Sequence, residues 1–536
     1  MAAPSASAIS KLHPQPSGDE ATLAKLGYKQ EFRREFTPLE VAGLAFSFVG
    51  VVPSIVSVLF YAIPNGGPFA MVWGWAFACP FILCTGLALA ELASAAPTSG
   101  GLYYWTYSLA SPRCRNFLSW IVGYSNTIEM ITAVASVNWA CTIQIVAAIT
   151  IASSDQVYTT TNLQLYGIYA ALGLSQAVLV SLGTKVLARL QRLFTLVNAS
   201  LCFIIIIALP IATPPDYRNS AKFALGDFTN LAGWPSGFAF ILSLMAPLYT
   251  IGGYDASVHM SEEASNATMA IPWAIVSSII VAAFLGLGIN ISLAFCMGTD
   301  VDSLLNSPIG QPMAQILFNS LGQQKALAIW CLVIIAEYMV ASNCLLVGSR
   351  QIFAFARDGA LPFSRYLYRI NRYTGTPINT VWFEIICSLA IGLLSFVSIQ
   401  AIDAVFTIAL TASYIAYITP ITNRFVFKND FKPGPFYLGK LSFPVSVIAV
   451  VWMTFMIFVF FFPATPRTTV QEMNYTVVVL GGFMFLAISW YYLPVYGGVH
   501  WYTGPVSNTP AIRDEDSISE RKDEHDADIY VEAVDV

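Results

Sequence analysis

Three features of the sequence predict an all-α integral membrane fold of twelve transmembrane helices. Hydrophobic residues make up 56% and charged residues 11% of the 536-residue chain, with a mean hydropathy of +0.64, too apolar for a fold whose solvent is water. Twelve apolar stretches cover residues 39–62, 69–95, 116–151, 163–182, 190–211, 236–258, 272–297, 325–350, 379–399, 402–423, 441–463 and 475–496. Each is near the roughly 20 residues that cross a hydrocarbon core about 30 Å thick. The first and sixth are punctured by helix-weakening residues, five spans apart.

In chain order, residues 1–36 are polar, carry Lys11, Lys25, Lys29, Arg33 and Arg34 without an apolar core, and read as an arm rather than a cleavable signal. Residues 37–498 form the twelve-helix domain. Residues 499–536 form a tail that accounts for the net charge of −5, since ten acids face three bases from Arg513 onward. Eight of nine cysteines (Cys79, Cys84, Cys141, Cys202, Cys296, Cys331, Cys344, Cys387) lie in apolar stretches without CxxC spacing and read as small buried hydrophobes. With four histidines and no HExxH pattern, a metalloenzyme is excluded, and neither cofactor nor nucleic acid is expected.

Orientation follows from Lys and Arg, which favour cytoplasmic connections. They crowd the even-numbered loops and both ends, leaving Arg218, Lys222, Lys325 and Arg467 opposite. Both termini are therefore expected in the cytoplasm.

The punctured spans locate a candidate site. Span 1 reads Ser47-Phe48-Val49-Gly50-Val51-Val52-Pro53-Ser54, and span 6 reads Tyr249-Thr250-Ile251-Gly252-Gly253-Tyr254-Asp255. One such interruption reads equally as a packing glycine or mild kink. Two, five helices apart, fit inverted five-helix repeats with equivalent discontinuous helices, so a 5+5 repeat plus two helices is expected. Backbone groups freed at a break must face protein or a wet cavity, which makes a polar site at mid-membrane.

Four segments carry a resemblance. Glu91-Leu92-Ala93-Ser94-Ala95-Ala96-Pro97-Thr98-Ser99-Gly100-Gly101-Leu102-Tyr103-Tyr104-Trp105 resembles the second-helix signature of amino acid/polyamine/organocation permeases. Ser261-Glu262-Glu263-Ala264-Ser265-Asn266-Ala267-Thr268 through Pro272, and Ser349-Arg350 with Ala356-Arg357-Asp358-Gly359-Ala360-Leu361-Pro362, resemble that family's motifs after helices six and eight. Phe431-Lys432-Pro433-Gly434-Pro435-Phe436-Tyr437-Leu438-Gly439-Lys440 is similar to the fungal amino acid/choline branch, which includes GABA and choline permeases. The resemblance spans about residues 35 to 505 and implies a LeuT-like fold, alternating access and, in fungi, proton-driven uptake.

The same motifs have a physical reading of their own. Pro97, Gly100 and Gly101 end a helix and permit a tight turn, while Tyr103, Tyr104 and Trp105 suit the water interface; together they are expected to shape a cytoplasmic gate. Glu91 reads as a gate partner or as a paired surface acid. Glu262 and Glu263 are expected to pair with Arg350 and Arg357 of the eighth-to-ninth loop as a latch, or to form a solvated acidic turn, since an exposed pair contributes only about 0–1 kcal/mol.

Acids inside spans cost a few kcal/mol, roughly +2.5 to +3.5 at the centre, and mark pathways or relays. Asp255 beside the break, Glu129 in span 3 and Glu337 in span 8 are the candidates for substrate contact or proton carriage. Relatives often carry an uncharged residue at the last two places, a departure that favours a cationic group on the solute. Glu384 reads as an interfacial or packing residue. Phe48, Tyr249 and Tyr254 are placed to stack on an amine, worth about 0.5–2 kcal/mol. Substrate contacts are thus expected from Ser47, Phe48, Gly50, Val51, Tyr249, Ile251, Gly252, Gly253, Tyr254, Asp255, Glu129 and Glu337. Proton coupling or gating is expected from Asp255, Glu129, Glu337, Glu91, Glu263, Arg350 and Arg357.

The expected function is a proton-coupled permease for an amino acid or related amine such as GABA, and not an enzyme. The alternatives are a choline, polyamine or other organic-cation permease and a solute-sensing transceptor, the latter disfavoured by short arms. Partners are the solute, protons, the lipid bilayer and, through the lysines of the arm and the acidic tail, a ubiquitin-based trafficking machinery. The membrane is the plasma membrane in preference to the vacuolar one.

Overall fold

The computed structural model describes residues 18–153, 158–466, 469 and 473–508. Lys11, Arg467 and the acidic tail from Thr509, with Arg513, Arg521 and Lys522, lie outside them. The chain divides into two units, one from residues 1–30 with 506–536 and one from Glu31–Pro505. In the first, α1 (Gly18–Lys25) is followed by a turn whose Gly27 carbonyl accepts from Asn508 N–H at 3.0 Å, and Lys29 N–H donates to Asn508 Oδ1 at 2.6 Å.

The second unit is helical apart from one short antiparallel pair, β1 (Asn65–Gly66) with β2 (Thr229–Asn230). Its principal helices are α2 (Pro38–Val49), α3 (Val51–Ala62), α4 (Trp75–Ala95), α5 (Gly101–Leu109), α6 (Arg115–Ala152), α7 (Asn162–Ser181) and α8 (Thr184–Phe203, continued to Ala212). Next come α9 (Ser236–Ser243), α10 (Met245–Thr250), α11 (Ala256–His259), α12 (Ala267–Cys296), α13 (Pro312–Leu321) and α14 (Gln323–Arg357). The last four are α15 (Ile378–Gly392), α16 (Ile399–Val426), α17 (Ser442–Val459) and α18 (Thr476–Tyr492).

Among the described residues, ten helical segments are long and apolar enough to cross a membrane, and Ser236–Thr250 and Thr476–Tyr492 are shorter apolar helices. Both shortfalls have a cause in the sequence: non-helical backbone follows Thr250, and Pro494 stands just past the end of α18. The fold is thus that of an integral membrane protein with ten to twelve candidate spans.

α2 packs on α8 and α12, α3 on α10, α4 on α12 and α17, α6 on α14 and α16, and α7 on α15. The α4–α12 seam is close because small residues line it: a Cβ at Gly86 would lie 2.2 Å from Ile279, and one at Gly286 would lie 1.9 Å from Trp75. Thr37 opens α2 with a capping box, its side chain accepting from Glu40 N–H while Glu40 Oε2 accepts from Thr37 N–H.

Several sequence expectations need correction. Arg350 and Arg357 stand on α14 rather than in a loop, because buried glutamates pair with them and the helix continues to Arg357. Tyr103 and Trp105 are buried, not interfacial, since the turn at Gly101 folds α5 into the bundle, where Tyr103 donates to Asp358 and Trp105 to the Ala96 carbonyl. Glu384 is also fully buried. Cys331 is exposed, on the same outward strip of α14 as Leu332 and Ile335.

Candidate functional site

Both predicted interruptions are present. Gly50 takes φ +48° between α2 and α3, a conformation that favours glycine, so two half-helices replace one rod. Gly253 takes φ +62° in the non-helical stretch 251–255 between α10 and α11, and its missing Cβ leaves room for Phe48, whose ring would otherwise lie 2.1 Å away. Among the described residues the N–H groups of Gly253, Tyr254 and Asp255 have no acceptor.

A cavity of about 60 Å³ lies where the breaks meet α6, α14 and α16. Phe48, Ser54, Glu129, Tyr249, Gly252, Gly253 and Ser413 are among the residues lining it. Tyr249 shares a hydrogen bond with Ser136 at 2.8 Å, which fixes its hydroxyl on α6. Glu129 is held by Asn126, whose Nδ2 donates to Oε2 at 2.8 Å.

Behind Glu129, Tyr417 of α16 donates to Asp255 Oδ1 at 2.5 Å and lies 3.3 Å from Glu129 Oε1. Asp255 Oδ2 faces His259 Nε2 at 3.5 Å, and His259 Nδ1 meets the Ser99 carbonyl at 2.9 Å. Glu337 is apart from this chain: Ser57 donates to its Oε1 at 3.0 Å, and Gln144 donates to Ser57 at 3.3 Å.

One end of the bundle is closed by ion pairs. Arg357 grips Glu262 through two nitrogens at 3.0 and 3.1 Å, and the same carboxylate accepts from Thr98 Oγ1 and Ser99 N–H. Arg350 Nε donates to Glu263 at 2.8 Å, with both groups buried. The strap before α2 lies across this end: Phe36 pairs with Ala264 as an isolated bridge, Phe32 meets Phe353 edge to face, and Arg34 donates to the Ala264 carbonyl. Tyr103 donates to Asp358 at 2.7 Å; burial first and the Asp358 charge second push the neighbouring Tyr104 hydroxyl up to about 12. Glu91 is not part of this cluster. Its oxygens accept from Arg424 at 2.8 Å, Leu438 N–H at 2.8 Å and Ser442 at 2.6 Å, fastening α4 to α16 and α17.

The opposite end holds a wider vestibule of about 390 Å³ lined by Phe60, Tyr61, Asn65, Asp403, Thr407 and Phe460, among others. The Phe406 ring stands between the two spaces, 5.2 Å from Tyr249 of the cavity and 6.5 Å from Phe60 of the vestibule.

Of the expected substrate contacts, Phe48, Tyr249, Gly252, Gly253 and Glu129 line the cavity, whereas Ser47, Gly50, Val51, Ile251, Tyr254, Asp255 and Glu337 do not. Ser47 instead bonds Thr195 of α8, and Gly50 and Asp255 shape the site from behind its wall. The residues that sequence reading passed over are Tyr417 and His259. A signal for His259 existed, since it follows Asp255 by four residues and a helical turn puts both on one face. Tyr417 had none, being one of 25 tyrosines.

Comparison with known proteins agrees with this architecture. Residues 36–483 match the family described as amino acid permease. An uncharacterised amino-acid permease of Schizosaccharomyces pombe is 39% identical over 498 residues, covering 93% of this chain and 89% of that protein. The GABA-specific permease of Saccharomyces cerevisiae is 38% identical over 496 residues, with 91% and 86% covered. Amino-acid permease 2 of Neurospora crassa is 34% identical over 499 residues, with 93% and 91% covered. With a family match over most of its length and relatives aligned almost end to end, the chain belongs to the amino acid permease family, a family of membrane transporters.

Proposed function

We propose that the chain is a proton-coupled secondary active permease for a small amino acid or related amine such as GABA. The observation that carries the reading is the cavity at the two helix breaks, with a carboxylate in its wall, ion pairs closing one end of the bundle and a vestibule at the other. The amine of the solute meets Glu129, with Phe48 and Tyr249 over it, and a carboxylate meets N–H groups at the breaks after Gly50 and at Gly253. A proton moving inward with it contributes about 2.3 kcal/mol per 100 mV.

The pairing of α3 with α10, α4 with α12, α6 with α14 and α7 with α15, each with the helix five spans on, supports the 5+5 repeat plus two helices. In that frame the ion-paired end is cytoplasmic, as are the arm 1–36 and the tail 499–536, and the vestibule faces outward. Residues 37–498 are the transport domain, and the plasma membrane is the site of action. Asp255 and Glu129, joined through Tyr417, are the proton-handling acids; Glu337, outside the cavity wall, is a second candidate.

A second reading, transport of choline or another organic cation, is favoured by one fact: Glu129 is the only charged side chain among the described cavity-lining residues. The two are separated by uptake of labelled GABA, choline and putrescine in permease-deficient yeast expressing the chain, with and without a protonophore. Protonophore-sensitive GABA uptake is the expected result. Uptake of the cations alone replaces the first reading with the second, and uptake of none refutes both.

A further inference from the structure

Tyr417 and His259 join the cavity acid to the ion-paired end, and hydrogen counting fixes what the line of groups must hold. A carbonyl oxygen only accepts, so His259 Nδ1, 2.9 Å from the Ser99 carbonyl, must carry a hydrogen. Nε2 of the same ring faces Asp255 Oδ2 at 3.5 Å, and neither atom has another partner. Two bare lone pairs facing one another in a fully buried site would repel, so a proton lies between them, on the carboxyl or on the ring.

On the other oxygen of Asp255, Tyr417 spends its one hydroxyl hydrogen at 2.5 Å. The Tyr417 oxygen then presents a lone pair to Glu129 Oε1 at 3.3 Å, a contact satisfied when Glu129 is protonated. The remaining Glu129 oxygen accepts from Asn126, which leaves Oε1 as the place for that hydrogen.

Resting on the permease reading above, we infer that Glu129, Tyr417, Asp255 and His259 form a proton path from the solute cavity to the closed end, with His259 as the exit group. Transfer runs in balance. Glu129 gives its proton to the Tyr417 oxygen as the Tyr417 hydrogen passes to Asp255 Oδ1; the proton at Oδ2 passes to His259 Nε2; and the Nδ1 hydrogen leaves to water once the Ser99 carbonyl withdraws. One proton enters at Glu129 and one leaves at His259; Tyr417 and Asp255 end as they began apart from the exchange of oxygens, and the ring, left as the Nε2–H tautomer, regains its Nδ1 hydrogen by proton exchange with water before the Ser99 carbonyl returns. The other titratable groups around the path are Tyr254, whose ring is 5.8 Å from that of Tyr417, and Tyr414, 6.4 Å away on the same helix. Past His259 stand Glu262 and Glu263 with Arg357 and Arg350 of α14, which packs against α11.

The test is the full chain in liposomes loaded with a pH-sensitive dye, given GABA under an inward gradient of two pH units, with GABA exchange measured in parallel without a gradient. Parent protein that neither exchanges GABA nor acidifies the lumen refutes the permease reading itself, separately from the path. Given a parent that accumulates GABA up to about 100-fold for one proton per solute, Tyr417→Phe and His259→Gln are expected to bring accumulation to about onefold and to abolish GABA-driven acidification, with exchange persisting. Variants that still acidify the lumen at the parental rate overturn the path, and so does loss of exchange together with acidification in both, which would make the two residues structural.

Discussion

Removing the Glu262 carboxylate is the perturbation whose size the structure fixes best. Arg357 is buried and spends two nitrogens on Glu262, so Glu262→Ala takes from a guanidinium in the protein interior the carboxylate that it grips with both. Breaking a buried pair in that way costs about 3–5 kcal/mol. Glu262 belongs at the upper end, since Thr98 and Ser99 also lose their acceptor. Glu263 belongs at the lower end, because Arg350 makes one contact to it and leaves Nη2 and Glu263 Oε2 without partners. In an opened state water takes over these duties and the penalty disappears. The ratio of closed to open protein should then fall more than a thousandfold for Glu262→Ala and roughly a hundredfold for Glu263→Ala, at about 1.4 kcal/mol per tenfold. Ser261 is a suitable reporter, being fully buried next to the two acids in the chain, its hydroxyl without a hydrogen-bond partner among the described residues. A Ser261→Cys protein without other reactive cysteines is labelled with an impermeant maleimide from the ion-paired side. The parent should resist, Glu263→Ala should label faster, and Glu262→Ala faster still, while both elute as folded monodisperse protein. Glu262→Ala combined with Arg357→Ala removes both charges of the pair and should return the rate toward the parent. A labelling rate unchanged in Glu262→Ala refutes the idea that these pairs hold the closed end.

Gly253→Ala forces a Cβ into a left-handed residue and within 2.1 Å of Phe48, so uptake should fall at least tenfold at unchanged surface expression, measured by initial rates. Glu129→Gln removes the charge from the cavity wall and should raise the apparent KM for GABA more than Glu337→Gln does, because Glu337 stands outside that wall; equal effects would contradict the assignment. Glu91→Ala strands Arg424 and frees the 424–442 connection, so it should lower the thermal midpoint in detergent with little change in KM, an effect of about 3–5 kcal/mol on stability.

Much of this was legible in the sequence because membrane helices advertise themselves. Apolar runs gave several of the helices within a few residues, as in 116–151 against Arg115–Ala152, though the eighth, 325–350, stopped well short of Arg357; the Gly50 and Gly252-Gly253 interruptions fell where the backbone does break. The partnership of Glu262 and Glu263 with Arg350 and Arg357 was also foreseeable from charge alone. What failed was burial. The rule that Tyr and Trp mark the water interface placed Tyr103 and Trp105 outside, yet α5 turns back into the bundle and hides both. Nor does a sequence say which side of a helix faces a cavity: Glu129 and Glu337 looked equivalent, and only the packing of α6, α14 and α16 separates the one that lines it from the one held by Ser57.

The proposed proton exit and the ion-paired latch meet at one residue. Ser99 offers its carbonyl to His259 Nδ1 and its N–H to Glu262, so a single peptide segment is gripped by the end of the path and by the acid that Arg357 holds. His259 and Glu262 are three residues apart, about one turn, and neither can leave Ser99 far behind without the other. While the end is closed, the carbonyl occupies Nδ1 and no water reaches it, so a proton on the ring has nowhere to go. When Glu262 separates from Ser99, the carbonyl is drawn from the imidazole as well, and Nδ1 meets the same water that then reaches the solute. In the proposed mechanism proton release and solute release therefore share one event, and a leak of protons through the closed state is blocked by the contact that keeps it closed. The consequence is specific: Glu262→Ala should uncouple the two, passing protons without GABA in dye-loaded liposomes, whereas Glu91→Ala, which touches neither Ser99 nor His259, should not.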